Sequence, residues 1–392
     1  MEVNFNKVPE GWVKETLGNL VDITIGKTPK RSEPKYWQNG KHKWATIASM
    51  VFGKEITDTA EHITDDAVRE LKPKKVPKGT LLFSFKLTIG KMAFAGCDLY
   101  TNEAIAAFVP KNGRIDKKFL FYALQVVNLT ANAGDASKGK TLNTKTMPLI
   151  EVVFPEDIIE QRRIVARIEE LTRRVEKTRA LAQERENELD ILLQAIYSHM
   201  IEDVEWKPLK EVASLIRRKV NTKPEAEYEE MGVRSFGKGT FKKPVLTGEQ
   251  IGKKRIYWIH EGDLVFNNVF AWEKAIAVAQ KEDHKRVGSH RFITYVPHEK
   301  KATSEFLCYH FLSKKGIEDI RAASPGSAGR NRTLGLKKLE KILVPVPDHN
   351  EQLRFAEMAK HRLEIQKETA KVDSELQAYS AAVIAKAFRG EL

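Results

Sequence analysis

The sequence has few cysteines and no long apolar run. Its two cysteines among 392 residues, Cys97 and Cys308, lie in separate halves without a Cys-x-x-Cys pair or a neighbouring set of histidines. This spacing argues against a zinc site or a disulfide framework. No stretch reaches the roughly 18 to 20 apolar residues that a membrane-spanning helix needs, and the N-terminus lacks the charged and then apolar layout of a signal peptide. We therefore expect a cytoplasmic protein without a bound metal.

Motifs of catalysis are also scarce. The sequence contains no NPPY- or DPPY-type, HExxH or GxSxG motif, and its ten histidines are scattered. One stretch, Gly134–Thr141 (GDASKGKT), satisfies the P-loop pattern GxxxxGK[ST]. A P-loop must open a helix at the phosphates, but Pro148 follows too closely for such a helix. A basic loop that faces a polyanion explains the stretch better, and a P-loop nucleotide-binding protein stays as an alternative.

Glycine and proline are both absent from two long stretches. Residues 156–203 and 350–388 contain neither residue, and apolar side chains recur there in alternating steps of four and three. Such a heptad pattern predicts two long helices that pack against each other. Polar residues such as Arg185 and Arg362 interrupt the pattern, so two independent surface helices are the alternative. The predicted seam residues are Ile164, Ile168, Leu171, Val175, Leu189, Leu192, Ile196, Phe355, Met358, Ile365, Val372, Leu376, Tyr379 and Val383.

Length and charge indicate two domains and a polyanionic partner. A chain of 392 residues exceeds one ordinary hydrophobic core and suits two domains with extended helices. The formal net charge of +13 favours a polyanion, and nucleic acid is the usual one for a cytoplasmic protein.

The two halves of the chain repeat one another in order. GTLLFS at position 79 returns as GDLVFN at 262, FLFYAL at 119 as FLCYHF at 306, and EQRR at 160 as EQLR at 351. A unit of one domain and one long helix therefore occurs twice. If the helices pack antiparallel, a pseudo-twofold axis relates the copies and places the domains at opposite ends of the helix pair. The first copy carries GKTPKRSEPKYW where the second carries RRKVNTK and MGVRSFGKGTF, so we expect an asymmetric bipartite target.

The order of these motifs resembles one known family. The first half carries GKTPKRSEPKYW and LLFSFKLTIGKMAF, each long helix follows a proline and enters with a Glu-Gln pair, and the C-terminus reads AKAFRGEL. The second half carries a different set, YEEMGVRSFGKGTF, GDLVFNNVFAWEKAIAV and GSHRFITY. The chain thus resembles the specificity (S) subunit of type I restriction-modification enzymes over essentially its whole length.

This resemblance implies an α+β fold with two globular α/β-type target-recognition domains, related by pseudo-twofold symmetry and separated by two long antiparallel coiled-coil helices. The implied segments are domain 1 at 1–155, the central helix at 156–203, domain 2 at 204–347 and the C-terminal helix at 348–392. Such a chain selects double-stranded DNA and catalyses nothing itself.

The resemblance also implies partner proteins. Two methyltransferase (M) subunits and restriction (R) subunits are the expected partners, and S-adenosylmethionine, ATP and Mg²⁺ are expected only in those subunits. A fused methyltransferase-nuclease could stand in their place. A coiled-coil scaffold that joins two protein-binding domains is the alternative from another class.

Side chains that contact DNA must anchor phosphates and read base edges. Because Arg and Asn pair bidentately with guanine and adenine, the predicted base readers are Arg234, Arg291, Asn267 and Asn268. The other predicted contacts are basic or hydroxyl side chains in loops of both halves. They are Lys27, Thr28, Lys30, Arg31, Lys86, Thr88, Lys138 and Lys140 in the first half, and Arg217, Arg218, Lys219, Lys238, Arg330 and Arg332 in the second.

Overall fold

The chain divides into two units, each built from a domain and parts of two long helices. Unit 1 comprises Met1–Leu181 and Lys371–Leu392, and unit 2 comprises Ala182–Ala370. The structure is a computed structural model, and it describes residues 8–86, 88–129, 134–136, 139–326 and 332–392.

The described residues of unit 1 form twelve strands, three short helices and the start of a long helix. Its strands are β1 Trp12–Thr16, β2 Val21–Ile25, β3 His42–Ala45, β4 Glu55–Ile56, β5 Glu61–Ile63, β6 Leu81–Ser84, β7 Met92–Ala95, β8 Tyr100–Thr101, β9 Ile105–Pro110, β10 Gly134–Ala136, β11 Gly139–Thr141 and β12 Glu151–Pro155. Its helices are α1 Leu17–Leu20, α2 Asp65–Leu71 and α3 Lys117–Ala123, and the long helix α4 spans Ile158–Met200. Short 3₁₀ helices occupy Pro34–Tyr36, Ile47–Ser49 and Met147–Leu149.

Unit 2 holds the end of α4 and a second set of strands and helices. Its strands are β13 Trp206–Pro208, β14 Ala213–Ile216, β15 Arg218–Lys219, β16 Glu227–Val233, β17 Thr240–Thr247, β18 Ile256–Ile259, β19 Leu264–Asn267, β20 Ile276–Val278, β21 Arg286–Ser289, β22 Phe292–Pro297 and β23 Leu343–Pro345. Its helices are α5 Leu209–Val212, α6 Gly248–Ile251, α7 Ser304–Leu312, α8 Lys314–Ala323 and α9 Leu336–Leu339, and the long helix α10 spans His349–Ala387. Its 3₁₀ helices are Ala271–Glu273 and Lys281–Asp283.

The two units share one scaffold, as the sequence repeat predicts. The central sheet of unit 1 has the order β2-β9-β6-β7-β4, and that of unit 2 has the matching order β14-β22-β19-β20. In each unit the first strand pairs antiparallel with the strand before the long helix, so that Trp12 lies opposite Pro155 and Trp206 opposite Pro345. One arrangement of strands is therefore present twice.

The middle strands of each central sheet are buried on both faces. Leu81 and Phe83 of β6 point into the core that contains α3 and α4, whereas Leu82 points into a second core on the opposite face. In unit 2, Phe266 and Val265 of β19 divide in the same way between two cores. Side chains alternate along a strand, so a short continuous apolar run suits a strand covered on both sides. The sheet thus separates a helix-facing core from an outer core.

The segments that cover the outer core differ between the units. Unit 1 builds a three-stranded sheet of order β5-β3-β8, together with α2. Unit 2 builds a five-stranded sheet of order β15-β18-β21-β16-β17. The two units therefore share a similar central sheet and differ in the outer sheet that covers it.

In each unit the segments of α4 and α10 run antiparallel. In unit 1, Ile164 packs in one core with Phe388, and Arg179 forms an ion pair of 2.7 Å with Asp373. In unit 2, Asp190 pairs with Arg362 at 2.8 Å, and Tyr197 and Phe355 have ring centroids 6.3 Å apart. As the residue number rises along α4 it falls along α10, which confirms the antiparallel helix pair within each unit.

The buried face of this pair departs from the predicted heptad seam. Of the predicted residues, the structure buries Ile164, Ile168, Val175, Phe355 and Val383, half-buries Leu171, Leu189, Ile196, Ile365 and Leu376, and exposes Leu192, Met358, Val372 and Tyr379. In unit 2 the buried residues of α4 are Leu193, Tyr197 and Met200. The reason is that α4 packs there on Phe306 of the domain as well as on α10, so its buried face is not a narrow two-helix seam.

The stretch that matches the P-loop pattern does not open a helix. Gly134–Ala136 and Gly139–Thr141 pair as an antiparallel hairpin, and the next helical residues are the 3₁₀ turn Met147–Leu149. This backbone lacks the helix N-terminus on which a P-loop depends. Across the described part of the chain, the helices are too short or too polar to cross a lipid bilayer.

Candidate nucleic-acid interface

Two tryptophans hold a basic loop of unit 1, residues 27–31 (KTPKR), between β2 and β3. The indole Nε1–H of Trp44 donates to the carbonyl oxygen of Lys27 at 3.0 Å, and that of Trp37 donates to the carbonyl oxygen of Lys30 at 3.0 Å. The two rings pack edge to face with centroids 5.0 Å apart. Because both ends of the loop are tied to buried or half-buried rings, the exposed Lys30 is presented from a fixed backbone.

Arg31 lies over the same pair of rings. Its guanidinium carbon is 4.2 Å from the centroid of Trp37 and 4.9 Å from that of Trp44. The guanidinium also pairs with both carboxylate oxygens of Glu61, and this hydrogen-bonded partner raises the pKa of Arg31. A phosphate or base must therefore compete with Glu61 for this side chain.

Arg31 borders a hollow of about 590 Å³ that sequence reasoning missed. Its polar lining includes Gln38, Asn39 and His62, which offer both donors and acceptors. The Asn-Gly step at 39–40 is a turn signal in the sequence, but nothing local shows that this turn faces Arg31.

Some of the other predicted contacts of unit 1 are hydrogen-bonded within the protein, and others are exposed. Lys27 Nζ donates to the carbonyl oxygen of Leu71 at 2.9 Å, and Thr28 donates to Glu103. Lys86 and Thr88 are exposed in the turn after β6. Lys138 lies outside the described residues, and only the backbone of Lys140 is described, in β11.

In unit 2, two of the predicted base readers line one cleft. Asn267 ends β19 and Arg291 directly precedes β22, and these strands are neighbours with Asn267 opposite Phe292. The cleft has a volume of about 430 Å³ and is walled in part by Phe241 and Phe270. The guanidinium of Arg291 and the carboxamide of Asn267 thus line the same cleft, and both are groups that can hydrogen-bond to base edges.

Sequence reasoning did not identify the other polar residues of this cleft. They are Ser235, Lys243, Glu273 and Ser289. The cleft also depends on Gly232, because a Cβ at this position would lie 2.3 Å from the ring of Phe241. These residues are brought together by sheet pairing between distant strands, which no local pattern in the sequence reveals.

Asn268, the third predicted reader, is held by its backbone. Its N–H donates to the carbonyl oxygen of Arg291 at 2.9 Å, and its own carbonyl oxygen accepts from Leu334 N at 2.8 Å. The side-chain oxygen is buried and has no hydrogen-bond partner among the described residues. Such an atom costs free energy unless a donor reaches it.

The tip of the β16–β17 hairpin carries an exposed aromatic side chain, with a basic residue two positions before it and another two positions after it in the sequence. Phe236 is 71% exposed and has a φ of +63°, and its N–H is fixed by the carbonyl oxygen of Glu273 at 2.7 Å. On one side Arg234 packs on the ring of Phe241 at 4.9 Å and donates to a backbone carbonyl. On the other side Lys238 is exposed. An exposed apolar ring on a held backbone, in a basic segment, suits contact with a nucleic acid.

Two predicted arginines of unit 2 are bound within the domain. Arg218 donates to both carboxylate oxygens of the buried Asp263, at 2.6 and 3.1 Å. Arg217 lies 4.8 Å from the ring centroid of Tyr257 and donates to the carbonyl oxygen of Phe292 at 3.1 Å. These guanidinium groups stabilise the domain, which the sequence could not show because their partners are distant along the chain.

Two of the remaining predicted contacts, Lys219 and Arg332, do not line the cleft. Lys219 is exposed on β15. Arg332 packs on Trp272 at 5.1 Å and donates to the carbonyl oxygen of Gly326 at 3.2 Å, while Arg330 lies outside the described residues. Within the described ranges, no group of three or more His, Cys, Asp or Glu side chains is placed to hold a metal ion.

Comparison with known proteins gives a consistent family. The family model of the type I restriction modification DNA specificity domain matches residues 9–186. The MjaIX specificity subunit of Methanocaldococcus jannaschii is 26% identical over 166 residues, 41% of this chain and 38% of the relative. The HindI specificity subunit of Haemophilus influenzae is 27% identical over 154 residues, 38% of this chain and 33% of the relative. The matched segment thus spans well under half the length of either relative.

Solved structures extend the likeness to the whole fold. The HsdS subunit from Thermoanaerobacter tengcongensis superposes with a TM-score of 0.56 at 16% identity, covering 99% of both chains. A chain from a solved type I R-M system superposes with a TM-score of 0.68 at 17% identity, covering 98% of this chain and 100% of that one. With the specificity-domain match over residues 9–186 and this fold along its length, the chain is similar to type I restriction-modification specificity subunits.

Proposed function

We propose that this chain is the DNA-specificity subunit of a type I restriction-modification complex and that each domain reads one half of an asymmetric, split DNA target. The observation that carries the proposal is the pairing of one repeated sheet scaffold with two unlike outer sheets. Like scaffolds allow both domains to dock on DNA in the same manner, whereas unlike surfaces read different bases. The proposed reading domains are residues 1–155 and 204–347.

Within the second domain, Arg291 and Asn267 are the proposed base readers. They border one cleft on neighbouring strands, and Arg and Asn are residue types that pair with guanine and adenine edges. Lys238 and Lys219 are exposed and are proposed to contact phosphates. In the first domain, the residues proposed to contact phosphates are Lys30, Lys86 and Thr88.

The long helices are the proposed docking surface for methyltransferase subunits. They expose large apolar side chains, among them Ile159 (71%), Ile191 (67%) and Leu181 (55%), and exposed apolar side chains are common where proteins associate. We propose two methyltransferase subunits, and restriction subunits beyond them, as the cytoplasmic partners. Adenine methylation and DNA cleavage, with S-adenosylmethionine, ATP and Mg²⁺, are assigned to those subunits and not to this chain.

Exchange of one domain tests the proposal. The chain is co-expressed with its methyltransferase subunit, and methylated adenines are mapped by single-molecule sequencing of the host genome. We expect one split motif with an unread gap. Exchange of residues 1–155 for the domain of another specificity subunit is expected to change one half of the motif only. A change in both halves, or in neither, would contradict modular reading.

The salt dependence of binding separates this function from a coiled-coil scaffold. About six phosphate contacts predict a roughly thousandfold loss of affinity for DNA between 50 and 200 mM salt. The measurement is a gel-shift titration of the chain with its methyltransferase subunit on duplex DNA. An affinity that does not change with salt would instead favour a protein-binding scaffold.

A further inference from the structure

Two buried glutamines occupy matching places in the two units. Gln161 lies in the first turn of α4 and Gln352 in the first turn of α10, and both side chains are 0% exposed. Long polar side chains are rarely buried so completely. Burial of a carboxamide is tolerated only where its donors and acceptor are satisfied.

Gln161 joins three elements of unit 1 through one carboxamide. Its Oε1 accepts from the backbone N–H of Asp116 at 2.8 Å. Its Nε2 donates to the carbonyl oxygens of Arg114 at 2.9 Å and Pro155 at 2.8 Å. Pro155 ends β12, and Asp116 is the N-cap of α3, where its carboxylate accepts from Phe119 N. The base of α4 is therefore bonded to a strand end and to a helix start.

Gln352 makes the same set of bonds in unit 2. Its Oε1 accepts from the N–H of Thr303 at 3.0 Å, and its Nε2 donates to the carbonyl oxygens of Lys301 at 3.0 Å and Pro347 at 2.9 Å. Thr303 is the N-cap of α7, as Asp116 is the N-cap of α3. The two carboxamides thus bond to corresponding atoms although their domains carry different outer sheets.

These bonds differ in kind from the apolar contacts between domain and helix. The apolar contacts, such as those of Ile164 with its core, are non-directional and allow small rotations. Hydrogen bonds weaken steeply when their angles change. A three-bonded carboxamide at the helix base therefore resists tilting of the helix against its domain.

Small tilts have large consequences along a helix of this length. A helix of 43 residues is about 64 Å long at 1.5 Å per residue. A tilt of about 3° at its base moves its far end by about 3.4 Å, the rise of one base pair. A complex that measures a fixed gap on DNA must therefore hold each domain firmly on its helix.

We propose that Gln161 and Gln352 are positioning residues that fix each domain on its long helix and so set the length of the unread gap between the two half-sites. This inference rests on the proposed function of the chain as a DNA-specificity subunit. Neither residue touches DNA in this role. Each acts through the orientation of the domain that does.

The experiment measures gap length in Gln161→Leu and Gln352→Leu variants of the full chain, each co-expressed with the methyltransferase subunit. Leucine is of similar size and removes all three hydrogen bonds. Methylation is scored on duplexes that carry the mapped half-sites with gaps of the native length and of one base pair more or less. We expect both variants to retain the bases of both half-sites. Their preference for the native gap is expected to fall by about tenfold, the factor that corresponds to 1.4 kcal/mol.

One control variant and one pair of replacement variants separate positioning from lost stability. Leu82→Ala removes a buried side chain from the outer core of unit 1, which contains no residue of α4, and it should lower stability while leaving gap preference unchanged. If a leucine variant does not accumulate as folded protein, Gln161→Glu and Gln352→Glu, which keep an accepting oxygen in the same place, are measured instead.

The possible outcomes are distinct. Unchanged gap preference in folded glutamine variants would overturn the inference, and so would altered bases in a half-site or an equal change in Leu82→Ala. If the unaltered chain yields no split motif at all, the result contradicts the proposed function of the chain and not the positioning role of the two glutamines.

Discussion

Phe388 provides a direct test of how the C-terminal segment supports the first domain. Its side chain is 0% exposed. The ring centroid lies 5.0 Å from that of Phe119 in α3 and 6.0 Å from that of Trp12 in β1. Residues 371–392 belong to unit 1, although about two hundred residues of sequence separate them from the rest of it. We predict that Phe388→Ala destabilises unit 1.

The size of the effect follows from burial. Truncating a fully buried Phe to Ala costs about 3–5 kcal/mol, because transfer free energy is lost and a cavity remains. The stability of a whole domain is about 5–15 kcal/mol. Phe388→Ala is therefore expected to leave unit 1 close to unfolding, whereas Phe388→Leu retains most of the buried area and should cost less.

Hydrogen exchange read by mass spectrometry locates the loss. In Phe388→Ala, peptides that cover β1 and α3 are expected to exchange faster by a factor that reflects the lost free energy. The matched control is Phe355→Ala in unit 2, where Phe355 is equally buried and its ring lies 4.9 Å from that of Tyr309. That control should accelerate peptides of α7 instead. Unchanged exchange in β1 and α3 of Phe388→Ala would refute the reasoning.

Three further predictions concern unit 2. Arg218→Ala removes the ion-pair partner of the buried Asp263 carboxylate and should lower the free energy of unfolding by about 3–5 kcal/mol. Thermal unfolding measures this loss, and an unchanged melting temperature would contradict the prediction. Burial lowers the pKa of His310 to about 4. As the pH falls, the imidazole of His310 therefore becomes protonated in the unfolded chain before it does in the folded chain. Stability is then full above about pH 6.5 and falls as the pH drops towards 4, by about 2 kcal/mol at pH 5. Urea unfolding at pH 8 and 5 should show this loss, and His310→Phe should reduce it; an equal loss in the variant would reject the assignment. Arg291→Ala should weaken the discrimination at one base of the second half-site by about 1–3 kcal/mol, and methylome mapping measures this. The control Lys219→Ala should leave the motif unchanged. An unchanged motif in Arg291→Ala would contradict the prediction.

Periodicity predicted the long helices but misplaced their buried face. A helix without Gly or Pro and with an apolar stripe is evident in the sequence, and α4 begins and ends within three residues of the expected limits. A heptad places Leu192 in line with Ile164, yet Leu192 is 52% exposed and Leu193 is 4% exposed. A straight helix drifts by about 20° per heptad, so the face of Ile164 passes to Leu193 after four heptads. The pattern has the period of a straight helix, 3.6, and not the 3.5 of a supercoil.

The candidate site was less predictable than the fold because its partners are tertiary. The sequence marks Arg31 and Arg218 as basic loop residues, and it cannot show that Glu61 and Asp263 neutralise them. Asn267 and Arg291 were predicted separately on residue type, and strand pairing brings them to one cleft. Whether these side chains read bases stays a prediction.

The two faces of each central sheet explain how the chain can keep its architecture and change its surface. Alternation along β6 sends Leu81 and Phe83 to the helix-facing core and Leu82 to the outer core. The helix-facing side also receives the strand pair β1-β12 and the carboxamide of Gln161, and unit 2 reproduces both features with β13-β23 and Gln352. The outer side is closed by three strands in one unit and by five in the other. Because the strand backbone separates the two cores, residues of the outer sheet can be replaced without altering the packing against the helices. A protein that must change the sequence it reads while preserving its assembly requires this separation.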